Sequence, residues 1–176
     1  MLFNSTQWTY STWVNATTNP GTGLTAFIIA IGGGGSGGAQ DLLINNQYVV
    51  SSQGFMTNSY HAAGNTPSNC ISGTLPVPGT WYHVAAIRET DTVRIYVNGV
   101  EMAKMKTLST AITYGAANSA YIAARSAGTD LFNGYLDDIR IYSRPLSAAE
   151  VNELYVATNS CAALPLRKSF LAYSDF

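Results

Sequence analysis

Glycoside hydrolysis needs two carboxyl groups flanking the scissile bond, and on a strand they must stand at alternate positions to face one substrate. The chain has four glutamates, Glu89, Glu101, Glu150 and Glu153. None stands two or four residues from another acid along a strand-like segment. Glu89 precedes Asp91 by two, but in a turn between two strand patterns. Glu150 follows Ser147 by three residues, the spacing of a helix capping box, and Glu153 falls on the exposed face of the same helix. Nucleophilic catalysis lacks its parts as well. His61 and His83 are the only histidines, and no serine stands on the strand-to-helix elbow of a hydrolase. His83 lies inside a strand pattern, where a hydrogen-bonded structural histidine is the more ordinary outcome. No catalytic residue is expected.

Other site chemistries are limited too. The cysteines, Cys70 and Cys161, can form one bridge in an oxidising compartment or remain two thiols. They cannot build a zinc site alone, and neither histidine has ligand spacing to them. The glycine run Gly32 to Gly38 lacks the Lys and following Ser/Thr of a phosphate-binding loop, and reads as a hairpin loop. Net charge is −1, and no basic cluster exceeds Arg167-Lys168, so no field draws nucleic acid or anionic lipid. The longest apolar run, Ala26 to Ile31, is too short to insert in a membrane. No signal peptide is visible. Charged residues make up only 11% of the chain, against the usual quarter, while hydroxyl and amide residues are plentiful. That balance points to an extracellular, cell-surface or virion protein.

The elements that would position these residues are mostly strands. Alternation marks Trp8 to Val14, and Ala26 to Ile31 reads as a fully buried strand. Leu42 to Ile44, an Asn45-Asn46 turn and Gln47 to Ser52 read as a hairpin. Trp81 to Arg88 and Thr92 to Asn98 form another, and Asn98-Gly99 turns the chain into Val100 to Met105. Tyr121 to Ala124 and Tyr135 to Tyr142 close the set. Residues 57–80 read as one long polar loop. Ser147 and Glu150 start a short helix carrying Val151, Leu154 and Tyr155 on its apolar face. Many short strands between turn signals predict an all-β sandwich.

Three segments carry a family resemblance. TYSTWV (Thr9 to Val14) resembles the early Trp-bearing strand of laminin G-like domains. GTWYHVAAIRETDTVRIYVNGV (Gly79 to Val100) resembles their W-x-H-V-A hairpin. FNGYLDDIRIYSRPLSAAEVNELY (Phe132 to Tyr155) resembles their closing strand and helix. The resemblance implies a two-sheet antiparallel jelly roll, concanavalin A-like, over residues 1–160, with 161–176 as a C-terminal tail. It implies a non-catalytic module that recognises carbohydrate or protein, often with structural calcium. Asp137 shares strand parity with Ile139 and Ile141. If those face the core, Asp137 does too, and it becomes the calcium ligand to expect, or else a carboxylate satisfied by N–H donors. Sugar recognition needs aromatics beside amides: Tyr60, His61 and Asn65 in the long loop, and Tyr10, Tyr96, Tyr135 and Tyr142 on strand positions taken as non-core. The tail, LPLRKSFLAYSDF, alternates and loosely resembles the first strand of such domains, which is short or missing here. The tail can supply that strand within the same chain, as an additional strand, or donate it to a neighbouring copy. On the second option the alternative function is structural: a filament, coat or capsid subunit forming a homo-oligomer or polymer through strand addition by the tail.

Overall fold

The computed structural model describes residues 6–32, 39–47, 52–60, 68–107, 112, 119–125 and 129–163. His61, Asn65, most of the glycine loop and the tail from Leu164 onward lie outside them.

Ten strands make two five-stranded antiparallel sheets. They are β1 (Gln7–Ala16), β2 (Leu24–Ile31), β3 (Ala39–Asn46), β4 (Gln53–Tyr60), β5 (Ser68–Ile71), β6 (Trp81–Glu89), β7 (Thr92–Val97), β8 (Val100–Lys106), β9 (Ala120–Ile122) and β10 (Gly134–Tyr142). The first sheet runs β10-β1-β6-β7-β8 and the second β5-β4-β3-β2-β9. β5 stacks against β8 and β4 against β7. The core between the sheets holds Trp8, Tyr10 and Val14 of β1, Val84 and Ala86 of β6, Val93 and Ile95 of β7, and Ile28, Leu42, Ile44 and Phe55 from the second sheet. The jelly-roll sandwich is thus the observed fold.

α1 (Ala148–Ala163) covers the outer face of the first sheet. Its start is the expected capping box: Ser147 Oγ accepts from Glu150 N–H at 3.3 Å, and Glu150 Oε2 accepts from Ser147 N–H at 2.8 Å. Val151 and Leu146 then pack on Ala85, Ile87 and Tyr96. Tyr155 stacks on Trp13 at 5.9 Å.

Three strand assignments change. Asn45 and Asn46 are not a turn. Both continue β3, paired with Gly54 and Gln53 of β4. They are buried there, and their side-chain amides donate to the Ser52 and Pro20 carbonyls. Turn propensity of asparagine comes from bonding local backbone, and here distant carbonyls take that place. Within the supposed 57–80 loop, β4 extends to Tyr60 and β5 adds an edge strand. The third concerns parity on β10. Ser11 pairs with Arg140 and Trp13 with Asp137, so two steps on β1 match three on β10. This β-bulge, with Asp138 at φ 48°, turns the side-chain alternation over. Asp137 stands opposite Trp13 on the outer face, while Ile141 stands opposite Tyr10 on the core face.

Gly134 lets β10 approach β1. A Cβ there would meet the Asn15 carbonyl oxygen, Ala16 Cα at 2.9 Å and the Phe132 ring at 2.8 Å. Gly134→Ala should therefore lower unfolding free energy by about 2–3 kcal/mol in urea titration; an unchanged midpoint would mean that this backbone can move aside freely.

Candidate functional site

The outward face of the second sheet carries chemistry that its packing does not use. Directly paired residues share a face. Tyr121 pairs with Ala30, Ala30 with Asp41, Asp41 with Asn58 and Asn58 with Asn69. Beside this polar row runs an apolar one, Phe27, Leu43, Met56 and Ile71, which forms a small cluster of its own with Ala30 and Tyr121. The row is buried at its centre, where Asp41 is 5% and Asn58 2% exposed, and half-buried at its ends, Tyr121 and Asn69.

Burial pushes the Asp41 carboxyl up to about 7. Its Asn58 hydrogen bond, the Arg125 charge and an Ile31 backbone bond pull the other way but do not win. Arg125 sits over the Phe27 ring at 5.6 Å and reaches Asp130 at 3.5 Å. Asn58 Oδ1 and Asn69 Oδ1 are buried acceptors without a donor. A carbonyl oxygen buried without a donor is costly, and these two belong to a wider set of buried polar atoms without a partner among the described residues, which includes the hydroxyls of Thr57 and Ser59 on either side of Asn58. The row brings together acceptor oxygens, a carboxyl and a phenol, with the Arg125 guanidinium nearby, beside apolar side chains that are themselves buried; only its ends are accessible. Composition of the strands alone could not reveal it, because the row exists only once the register of four strand pairs is known.

The opposite flank of the molecule holds the residues weighed for catalysis. Glu89, Glu101 and Glu150 line one cleft of about 460 Å³ between β7, β8 and the start of α1, together with Arg94 and Tyr96. Sequence spacing did not bring them together. Each carboxylate is already engaged. Arg94 Nη1 donates to Glu89 Oε2 at 2.7 Å, Tyr96 Oη donates to Glu101 Oε2 at 2.8 Å, and Arg144 with the Ser147 cap holds Glu150 down to about 2. Glycosidase chemistry needs one carboxyl held protonated near neutrality, and Glu150 is shifted the wrong way.

His83 lies under α1, 2% exposed, with Nε2 2.8 Å from Ser11 Oγ and its ring against Trp13 and Tyr155. Burial holds its pKa down to about 4. The pair has the spacing of a nucleophile and base, but both side chains are sealed beneath the helix.

Other candidates disperse. Asp137 is exposed and accepts from the Asp138 N–H at 2.7 Å, and Asp138 pairs with Arg140 at 2.7 Å. A calcium ion takes six to eight oxygens, and among the described residues no three His, Cys, Asp or Glu side chains gather to hold a metal. Tyr10 is a core residue, its hydroxyl donating to Gln40 Oε1 of the facing sheet at 2.7 Å. Tyr96 is buried under α1, Tyr142 packs against that cluster, and Tyr135 is exposed. Tyr60 pairs with Ala39 at the end of β4. Cys70 is a free thiol inside the core, pushed up to about 11 by burial, and the first sheet stands between it and α1, which carries Cys161. Among the described residues no helix is long and apolar enough to cross a membrane.

A laminin G-type family model, described as the concanavalin A-like lectin/glucanases superfamily, matches residues 1–152. The chain belongs to that superfamily. Solved structures share the fold at low identity. Domain 4 of a GH43 extracellular arabinanase from Geobacillus stearothermophilus, in complex with arabinotriose, is 21% identical with a TM-score of 0.67, covering 88% of this chain and 68% of that one. The CBM40 of a Ruminococcus gnavus IT-sialidase, bound to α2,6 sialyllactose, is 14% identical with a TM-score of 0.66, covering 88% and 85%. A heptameric SAP-like pentraxin from Limulus polyphemus is 14% identical with a TM-score of 0.60, covering 86% and 70%. No curated protein sequence matches the chain.

Asp41 and His83 make opposite demands on stability. The native fold keeps Asp41 protonated up to about 7, against 3.8 unfolded, so its contribution is complete below 3.8 and lost as pH rises through 7. The native fold keeps His83 neutral down to about 4, against 6.5 unfolded, so its contribution is complete above 6.5 and lost as pH falls towards 4. Between pH 4 and 6.5 the two nearly cancel. Asp41→Asn should unmask stability that rises with pH across that window, by on the order of 2 kcal/mol, and His83→Gln stability that falls. Parallel profiles for both variants in urea titrations would refute the assignment.

Proposed function

We propose that the chain is a non-catalytic carbohydrate-binding module that takes its glycan on the outward face of the second sheet. The observation that carries this reading is the pair of donor-less buried acceptors, Asn58 Oδ1 and Asn69 Oδ1, in one row with Asp41 and Tyr121. Sugar hydroxyls are donors at close spacing, and the CH face of a pyranose or furanose ring packs on a phenol such as Tyr121. Tyr121 and Asn69, the half-buried ends of the row, are its accessible residues and the ones through which a sugar would be met. Sugar-bound relatives of the same fold support the ligand class, and engagement of Glu89, Glu101 and Glu150 by other groups supports binding without turnover. The low charge of the surface fits a module working outside the cell, at a cell surface or on a virion.

A glycan array followed by calorimetric titration with arabino-oligosaccharides and sialyllactose tests this. A defined set of sugars should bind without release of shorter products. Asn69→Ala and Tyr121→Ala should each weaken binding about tenfold, the loss of one hydrogen bond or one ring contact. Glu101→Gln, in the opposite cleft, should leave it unchanged. Absence of any bound sugar, or loss of binding in Glu101→Gln alone, overturns the reading.

A further inference from the structure

The core between the sheets changes character along its length. On β3 and β4 the inward-facing residues stand in direct register: Ile44 with Phe55, then Leu42 with Thr57, then Gln40 with Ser59. The series passes from wholly apolar to wholly polar. Across the gap, the rings of Trp8 and Tyr10 stack at 4.4 Å, and the Tyr10 hydroxyl donates to Gln40 Oε1 at 2.7 Å. That bond joins the two sheets and puts the Trp8 indole at the polar end. Arg88 pairs with Trp8 on the same face and is fully buried there, its Nε donating to the Thr90 carbonyl at 3.3 Å. Four polar atoms of this end, Trp8 Nε1, Gln40 Nε2, Thr57 Oγ1 and Ser59 Oγ, are buried and make no hydrogen bond among the described residues. Their four residues are each 2% exposed or less. A single such atom is costly, and four converge on one end of one core.

We infer that this end of the core binds internal water, held between the sheets by Trp8 of the first and by Gln40, Ser59 and Thr57 of the second. The bonding capacities select the ligand. Trp8 Nε1 and Gln40 Nε2 only donate, while the two hydroxyls donate or accept. Water accepts two bonds and donates two, so it takes the N–H groups and returns its own protons to the hydroxyls. A cation would face N–H donors, and an anion would carry a charge into the core, whereas water does neither. A buried water makes about three hydrogen bonds, the number that Trp8, Gln40 and Ser59 supply together. Thr57, two residues from Ser59 on the same face of β4, continues the polar row. The site is independent of the proposed glycan face, because Asn58, between Thr57 and Ser59, has the opposite parity. Water bound here is a second polar tie between the sheets, beside the Tyr10–Gln40 bond.

A high-resolution crystal structure of the full chain tests the inference. An ordered water oxygen should lie within hydrogen-bond distance of Gln40 Nε2 and of Trp8 Nε1 or Ser59 Oγ. Melting of two conservative variants adds a readout that differs in sign. Thr57→Val and Ser59→Ala each remove one hydroxyl with little change in volume. A hydroxyl bonded to water is lost at a cost, and each midpoint should fall by about 2–4 °C. A hydroxyl left unbonded is better removed, and the midpoint then rises. A site found dry, filled by another side chain of the protein or occupied by an anion overturns the inference. Midpoints that stay level or rise in both variants overturn it as well.

Discussion

The fold depends on β1 being buried on both faces. Its core face, Trp8, Tyr10, Val14 and Ala16, fills the space between the sheets, and Tyr10 ties them together through Gln40. Its outer face, Thr9, Ser11 and Trp13, lies under α1 and is just as closed. A polar group so placed must find a partner inside the protein. Thr9 takes the Arg144 carbonyl and the Leu146 N–H, Ser11 takes His83, and Thr12 donates to the Asp137 carbonyl. The first two tie the chain leading into α1, and the strand beneath it, to β1; the third holds β10 at its bulge. The helix is a third layer of the sandwich rather than an ornament at its end, and the Ser11–His83 pair belongs to that layer as a structural contact.

The same closure explains what the sequence revealed and what it hid. Two-faced alternation in β1, β6 and β7, the Asn98-Gly99 turn and the Ser147 capping box are local features. Each was readable, because local chemistry alone determines it. The β10 bulge was not. One extra residue between Asp137 and Arg140 reverses parity, and nothing in Leu-Asp-Asp-Ile-Arg marks it except an aspartate able to adopt positive φ. Asp137 therefore moves from the expected core position to the surface, and the burial that singled it out is not there. Asn45 and Asn46 misled for the complementary reason: their amides bond to Ser52 and Pro20, and no local signal distinguishes that from a turn.

The candidate site was legible only in its ingredients. Asp41, Asn58, Asn69 and Tyr121 lie on four strands spread over eighty residues, and register alone makes them a row. Of the aromatic residues that looked suited to a sugar, Tyr10 and Tyr96 were drawn instead into packing, because a large ring repays burial more than an amide does, while Tyr135 stays exposed. The glutamates moved the other way. They were apart in sequence and converge in one cleft, where Arg94, Tyr96 and the helix cap commit them to structure.

The proposed binding and the stability of the fold make opposing claims on the second sheet. A central strand covered on both faces would be most stable with apolar residues at Asp41 and Asn58, as the adjacent Leu43 and Met56 show. Keeping a carboxyl there forces its pKa to about 7, and keeping two amides leaves two acceptor oxygens unbonded. Neither cost is recovered within the described fold. Asn58 and Asn69, which carry the unbonded oxygens, are paired residues on neighbouring strands. On the reading proposed above, these are costs that a ligand with repeated donors would offset.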